Sequence, residues 1–367
     1  MRRPLVLILI LALLGAACGG SDDTDSATGA TEEDAVSESV SASASESDSA
    51  SASDVADESS SASASDSASE PAETTTTTTT VPAFRTVEHA FGSTEVPGRP
   101  GRIAVLNSGT ILPILLFLGV DTIVGAPLPD GPIEATRLLD DDDLVGIESI
   151  GFPQENPELL AAVQPDLIIG FDLGLQETYD AYSQIAPTVA IEQDLNDWRG
   201  TGERVAAALG LEQRMADGLV EYDARVAALR EAIGDPAAIE VSVVRALGPN
   251  IRLHTPFHFA GQVIADVGFS WPEAVPTDDP ETRLVQVSLE ELPSADADHV
   301  FVFGAGQAVD GSDVDATVQA ILDHPLYPTL GVAETGNLHV VDPLGWQQGG
   351  IPAANLILGD LEGVFAS

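Results

Sequence analysis

Lysine is absent from this chain of 367 residues, and its 14 basic residues are all arginine. They stand against 59 acidic residues, which gives a formal net charge of −45 at pH 7. Proteins that bind DNA or RNA neutralise phosphates with basic side chains. The charge balance therefore argues against a nucleic-acid partner and indicates a highly soluble, acidic surface.

Cysteine occurs once, at Cys18, so disulfides cannot stabilise the fold, and stability has to come from a buried core. The apolar stretch from Leu5 to Leu14 follows two arginines but has only ten residues, too few to span a bilayer. With the small residues Gly15-Ala16-Ala17 before Cys18, it has the layout of an export signal.

The segment 1–18 resembles a bacterial lipoprotein signal, although Gly15 stands where a large aliphatic residue is usual. The resemblance implies that Cys18 is lipidated and anchors an extracytoplasmic protein to the cell membrane. An ordinary signal peptide with an incidental cysteine is the alternative, and it also predicts export. Residues 19–83 are mostly Ser, Ala, Asp, Glu and Thr, and we expect them to form a disordered, acidic tether.

From residue 84 onward, short apolar runs alternate with helical patterns, which predicts an α/β fold with mostly parallel central sheets. The predicted strands are Ile103–Leu106, Thr122–Val124, Asp166–Ile169, Thr188–Ile191, Ile239–Val244, His299–Phe303 and Leu338–Val341. The predicted helices are Leu112–Leu118, Pro157–Val163, Gln176–Ile185, Trp198–Leu209, Phe259–Val267, Ser288–Leu292, Val314–Leu322 and Ile351–Leu361.

Apolar residues between Met215 and Ile233 recur at intervals of four and three, which predicts one long amphipathic helix over 211–234. It would join an N-terminal lobe, 84–210, to a C-terminal lobe, 235–367. Two Rossmann-like lobes joined by a stiff helix leave a cleft between them, where ligands commonly bind.

The order of several sequence blocks resembles the iron–siderophore group of ABC-transporter substrate-binding proteins. The resemblance runs from about residue 84 to the C-terminus. The blocks include Asn156-Pro157-Glu158-Leu159-Leu160, Gln164-Pro165-Asp166-Leu167-Ile168-Ile169, Val285-Gln286-Val287-Ser288-Leu289-Glu290-Glu291-Leu292 and His324-Pro325-Leu326-Tyr327.

This resemblance implies a monomeric binding protein that captures a ferric siderophore and delivers it to an ABC permease with a cytoplasmic ATPase. It also implies that Glu158 and Glu290, one in each lobe, dock onto arginines of the permease. Helix capping is the alternative role for both glutamates, since each lies early in a predicted helix.

Loops at the carboxyl ends of the strands should form the ligand site, as in other open α/β sheets. The resemblance implies an arginine at the end of the first strand of the C-terminal lobe, and Arg245 matches that position. Guanidinium groups suit anionic catecholate or hydroxamate oxygens. The other arginine candidates are Arg252, Arg283 and Arg199, with a structural salt bridge as the alternative for each.

Aromatic residues make up only 5% of the chain, so tryptophans in the predicted cleft loops are further candidates. Trp346 and Trp198 are expected to wall the cleft from the two lobes, with packing at the lobe interface as the alternative. His254 and Phe257 belong to the element His254-Thr255-Pro256-Phe257-His258, for which we expect contact with the ligand, with a solvent-facing position as the alternative. We expect no bare-metal site there, because Pro256 breaks the helix that would align the two histidines, and no resident cofactor.

The sequence lacks the serine-hydrolase elbow, the phosphate-binding loop and the zinc-protease motif, and we expect no enzymatic activity. Two alternatives remain open. The same fold could carry haem or cobalamin, or it could serve a surface sensory or interaction protein that does not transport.

Overall fold

A computed structural model describes residues 83–129, 138–139, 142–304 and 315–366. The predicted export signal with Cys18, and the predicted tether as far as residue 82, lie outside the described residues. Within the part of the chain described, no helix combines the length and apolarity needed to cross a bilayer.

The N-terminal lobe is built on a five-stranded parallel sheet with the order β5-β4-β3-β6-β7, preceded by a separate antiparallel hairpin, β1-β2. Its strands are β1 Phe84–His89, β2 Gly92–Pro97, β3 Ile103–Val105, β4 Ile123–Ala126, β5 Glu148–Ser149, β6 Leu167–Phe171 and β7 Thr188–Ile191. Its helices are α1 Ile111–Phe117, α2 Pro157–Ala162, α3 Asp172–Leu175, α4 Tyr179–Tyr182 and α5 Trp198–Ala207.

A single helix, α6 Glu212–Ile233, leads to the C-terminal lobe. The strands of this lobe are β8 Val241–Ala246, β9 Asn250–His254, β10 Leu284–Ser288, β11 His299–Phe303 and β12 Leu338–Val340. Its helices are α7 Phe259–Val267, α8 Ala316–Leu322, α9 Gly331–Thr335, α10 Pro343–Gln347 and α11 Ile351–Phe365, with 3₁₀ turns at Pro236–Ala238, Leu289–Ala295 and Tyr327–Thr329. The second sheet has the order β10-β9-β8-β11-β12, parallel from β8 to β12 and antiparallel from β8 to β10.

The sequence pattern of β6 and β7 explains why they are central strands. Every residue of both strands is buried, which is the continuous apolar run expected where helices cover both faces of a parallel sheet. The α/β class with two lobes and mostly parallel sheets is therefore confirmed.

The helix α6 buries one stripe of side chains that includes Met215, Leu219, Tyr222 and Val226. The C-terminal helix α11 packs against α6 and also against α1 and α5 of the N-terminal lobe and α7 of the C-terminal lobe. One hydrophobic core consequently extends through both lobes. The lobes are thus joined by packed helices as well as by the chain.

One predicted helix was wrong, and one set of strand pairings was missed. The predicted helix Gln176–Ile185 is reduced to the single turn α4, because the amide groups of Ile185 and Ala186 both donate to the carbonyl of Tyr182 in a closing turn, and Pro187 follows. The pairing of β9 with β8 and β10 was not predicted at all.

Candidate functional site

Strand pairing in the C-terminal lobe places two arginines side by side. Arg245 on β8 is the register partner of Arg252 on β9, so both side chains project from the same face of the sheet. Like charges that are directly opposite on neighbouring strands destabilise a sheet. This placement therefore costs stability in the unliganded protein and marks the face as a site for negative charge.

The arginine pocket is a cavity of about 220 Å³ between the two lobes. A third arginine, Arg283, lines it from the segment just before β10. Its N-terminal-lobe lining is Thr110, Gln193, Asp194, Leu195, Trp198 and Thr201, and its C-terminal-lobe lining is Arg245, Arg252, His254, His258, Phe259, Arg283, Leu284, Gln347, Gln348, Gly349 and Gly350.

None of the three pocket arginines forms a salt bridge with a residue that the structure describes. Burial, followed by the charge of Arg252, lowers the pKa of Arg245, and the Nε of Arg245 is buried without a hydrogen-bond partner among the described residues. Burial also lowers the pKa of Arg283, while the nearby Asp194 acts in the opposite direction. The pocket therefore concentrates positive charge inside a strongly acidic protein.

The guanidinium groups of Arg252 and Arg283 are held by neutral acceptors. Arg283 donates to the backbone carbonyls of Phe257 and Leu195, each at 3.2 Å, and so links the two lobes. Arg252 donates from Nε to the side-chain oxygen of Gln286 at 3.3 Å. Neutral acceptors orient the side chains without cancelling their charge.

Two histidines form the floor of the pocket. His254 is only 1% exposed, and burial, the neighbouring His258 and the arginines push its pKa well below the usual value. Burial and the charges of Arg283, Arg245 and Arg252 lower the pKa of His258 to about 3. Both imidazoles are therefore neutral at pH 7, and each has a buried Nδ1 without a partner in the described structure.

Close approach between the lobes depends on small residues at the pocket edge. A side chain at Gly109 would collide with the amide of Gln348, and the backbone N–H of Gly349 donates to the hydroxyl of Thr110 at 3.3 Å. Gly350 has a φ of 104°, which favours glycine. These contacts bring residues 347–350 over the pocket from the C-terminal lobe.

Five of the predicted ligand-binding residues line this pocket: Arg245, Arg252, Arg283, His254 and Trp198. The remaining lining residues, among them Gln193, Thr201 and Leu284, were not predicted individually. Gln193 and Leu284 lie next to the ends of buried or paired strands, which is the signal that could have found them.

Three other predicted residues lie elsewhere. Arg199 pairs with Asp223 of α6 at 2.8 Å and with Asp266 of α7 at 3.1 Å. Its guanidinium also lies 5.0 Å from the ring centroid of Trp198. Arg199 therefore forms a structural salt bridge, which was the alternative to ligand binding considered for it.

Trp346 is fully buried in α10 and does not wall the cleft. Its ring stacks on Phe301 at 4.9 Å, and its Nε1 donates to Asp360 at 2.8 Å. Phe257 contributes its backbone carbonyl to Arg283, and its side chain is not part of the pocket lining.

The two predicted docking glutamates are exposed, one on each lobe. Glu158 is in the first turn of α2, after Asn156, whose side-chain oxygen accepts from the backbone N–H of Glu158 at 2.8 Å. Glu290 is in the 3₁₀ turn Leu289–Ala295, where Ser288 and Glu291 form the capping box. Because other side chains provide these caps, both glutamates are available to a partner.

Among the described residues, no group of three or more His, Cys, Asp or Glu side chains is arranged to hold a metal ion.

The comparisons with known proteins agree with this architecture. Residues 108–343 match the family described as periplasmic binding protein. The chain is 32% identical over 289 residues to the probable siderophore-binding lipoprotein YfiY of Bacillus subtilis, an alignment that covers 77% of this chain and 87% of that protein. It is 28% identical over 225 residues to the achromobactin-binding periplasmic protein of Dickeya dadantii, covering 59% of this chain and 72% of the relative.

Among solved structures, Staphylococcus aureus SirA complexed with staphyloferrin B is similar to this chain. It has a TM-score of 0.61 and 25% identity, and the match covers 76% of this chain and 97% of SirA. With the two-lobed α/β fold, the long α6 and the inter-lobe pocket, these matches show that the chain belongs to the periplasmic binding protein family, whose members bind substrates for ABC transporters and are not enzymes.

Proposed function

We propose that this protein captures a ferric siderophore in the arginine pocket and delivers it to the permease of an ABC importer. The observation that carries the proposal is the set of three guanidinium groups, Arg245, Arg252 and Arg283, that line one pocket without a salt-bridge partner in the described structure. Similarity to the probable siderophore-binding lipoprotein YfiY, to the achromobactin-binding protein and to SirA complexed with staphyloferrin B supports the same ligand class.

Charge explains why the pocket suits an anionic chelate. Ferric complexes of catecholates, hydroxycarboxylates and related groups present several oxygen atoms with negative charge, which guanidinium groups bind through paired N–H donors. An anion between Arg245 and Arg252 also removes the repulsion between these cross-strand neighbours. Removal of this repulsion makes a favourable contribution to the free energy of ligand binding.

The neutral histidines add hydrogen-bonding groups to this charge. The imidazole of His258 lines the pocket, and its ring can donate or accept depending on the tautomer. With Trp198 on the opposite lobe, the pocket offers charge, hydrogen bonds and an aromatic side chain to one ligand.

Delivery requires contact with a membrane permease. Glu158 and Glu290 are exposed on different lobes, so the separation of the two carboxylates would define the docking geometry. Lipidation of Cys18 would hold the protein at the extracytoplasmic face of the membrane, and the acidic tether 19–83 would let the binding lobes reach the permease. A cytoplasmic ATPase would power import.

The test is a fluorescence titration of the purified protein, with its three tryptophans, against ferric catecholates, ferric hydroxamates, ferric citrate, haem and cobalamin. We expect saturable quenching by one ferric chelate. Arg245→Gln should weaken binding of that chelate by about tenfold or more, because it removes a charged donor.

The matched control is Arg99→Gln, at an exposed arginine outside the pocket, which should bind like the unchanged protein. Equal loss of affinity in both variants would mean that only the net charge matters. Binding of haem or cobalamin without any ferric chelate would keep the fold and contradict the siderophore proposal.

A further inference from the structure

A second cavity, which we call the Glu155 pocket, lies in the N-terminal lobe and has a volume of about 190 Å³. It is lined by Leu106, Asn107, Glu155, Phe171, Leu173, Gly174, Leu175 and Gln193. Gln193 also lines the arginine pocket, so the two cavities are neighbours in the same cleft. The cavity has room for a short side arm of a ligand that occupies the neighbouring arginine pocket.

The lining of this pocket differs in charge from that of the arginine pocket. Glu155 contributes its only carboxylate, and no basic residue is among the described residues that line it. Phe171, Leu173 and Leu175 make much of the rest apolar, and Leu173 is 60% exposed at the rim. The cleft therefore offers three arginines together with Asp194 on one side, and a single carboxylate beside apolar side chains on the other.

Partial burial makes the ionised form of Glu155 less stable in the unliganded protein. Burial raises its pKa, and the hydrogen bond from its own backbone N–H offsets only part of this effect. After the effect of burial itself, the charge of Glu155 also raises the pKa of the neighbouring Tyr182. A carboxylate without a cationic partner in an apolar cavity is destabilising unless something binds it.

Asn107 is a polar neighbour of Glu155 in the lining of this pocket. The side-chain oxygen of Asn107 already accepts from the backbone N–H groups of Thr110, at 2.6 Å, and Ile111, at 3.2 Å. The Asn107 oxygen is therefore already occupied at the start of α1, and Glu155 is the charged acceptor among the described lining residues. A protonated amine fits an apolar pocket with one carboxylate.

We propose that the Glu155 pocket is a second subsite, which binds a protonated amine arm of the ligand whose anionic iron-chelating part occupies the arginine pocket. This inference rests on the proposed function and deepens it, because it selects siderophores that carry a free amine. Gln193, shared by both cavities, would contact the ligand where the arm leaves the chelate.

The experiment compares two probes that differ only in the arm. One is the ferric complex of citrate with one aminoethyl amide arm, and the other is the same complex with its amine acetylated. We expect calorimetric titration to show about tenfold tighter binding of the amine form. In Glu155→Gln this preference should fall to less than about twofold, with the affinity for the acetylated form unchanged.

The control variant is Glu148→Gln, at an exposed glutamate on β5, which should retain the full preference. Thermal unfolding of each variant identifies any that fail to fold, and Glu155→Asp provides a second, charge-retaining variant that should keep part of the preference. Equal binding of both probes, or an undiminished preference in Glu155→Gln, would overturn the subsite.

The outcome also separates the two proposals. Binding of both citrate probes with equal affinity would overturn the amine subsite and leave the siderophore function standing. Binding of no ferric chelate at all would overturn both.

Discussion

The imidazole rings of His254 and His258 lie 4.0 Å apart, centroid to centroid, at the floor of the arginine pocket. His254 also packs edge-on against Phe303 at 5.4 Å. Both rings are neutral, because burial and then the positive charge of the three nearby arginines disfavour their protonated forms. The pair links the folding stability of the unliganded protein to pH.

The first prediction concerns acid destabilisation. Because the folded-state pKa of His258 is lowered to about 3, the unfolded chain binds more protons between pH 6.5 and 3. The contribution to stability is complete above about pH 6.5 and is lost as pH falls, up to about 2 kcal/mol at pH 5 from His258 alone. Urea unfolding at pH 7 and pH 5 measures this loss.

The control for this prediction is His258→Gln. The same carboxylates titrate in both proteins, so the difference between their pH profiles isolates the histidine. Parallel profiles would show that His258 does not titrate below its ordinary range.

The second prediction separates structure from binding at Arg199. Arg199 joins α5 to Asp223 on α6 and Asp266 on α7, and Tyr222 donates to the same Asp266 at 2.9 Å. Arg199→Met should lower the free energy of unfolding by about 1–2 kcal/mol and leave chelate affinity within about twofold. Arg99→Met, at an exposed position, should change neither. A large loss of affinity with unchanged stability would instead assign Arg199 to the ligand.

The third prediction concerns docking. The double variant Glu158→Gln and Glu290→Gln should bind the ferric chelate normally but lower its uptake by about tenfold or more in cells that contain the permease, because two interfacial charges are lost. The matched control removes two other exposed glutamates, Glu148 and Glu334, one from each lobe. Equal uptake by both double variants would contradict the docking role.

The fourth prediction is a small change of shape on binding. The hydrophobic core that passes from the N-terminal lobe through α6 and α11 opposes a large rotation of one lobe against the other. Spin labels on Glu148→Cys and Glu334→Cys, in a chain with Cys18→Ser, should move by less than about 3 Å when ligand binds. The absence of any other cysteine makes this labelling specific. A shift of about 10 Å or more would mean that the helices do not restrain the lobes.

Local pattern was sufficient for the fold class. Continuous apolar runs such as Leu167–Phe171 and the regular spacing along α6 are properties of the sequence itself, and they survive in the structure. The antiparallel pairing of β9 with β10 joins residues that are distant in sequence, from His254 with Leu284 to Asn250 with Ser288, and no local pattern specifies such a partner.

The site was predictable only in part, for the same reason. Arg245 could be assigned because it lies at the end of a recognisable strand, and the structure places it in the pocket. Trp346 and Arg199 were placed in cleft loops, but their side chains point to Phe301 and Asp266, partners that are distant in sequence. The side-chain direction at the end of an element depends on tertiary packing.

The most direct test of the central claim is a crystal structure of the protein with the ferric chelate that binds most tightly in the titration, with data collected at the iron absorption edge. The account predicts one anomalous peak in the cleft, with the chelate oxygens within hydrogen-bond distance of Arg245, Arg252 and Arg283. An iron peak outside the arginine pocket, or a chelate that contacts none of the three guanidinium groups, would contradict it.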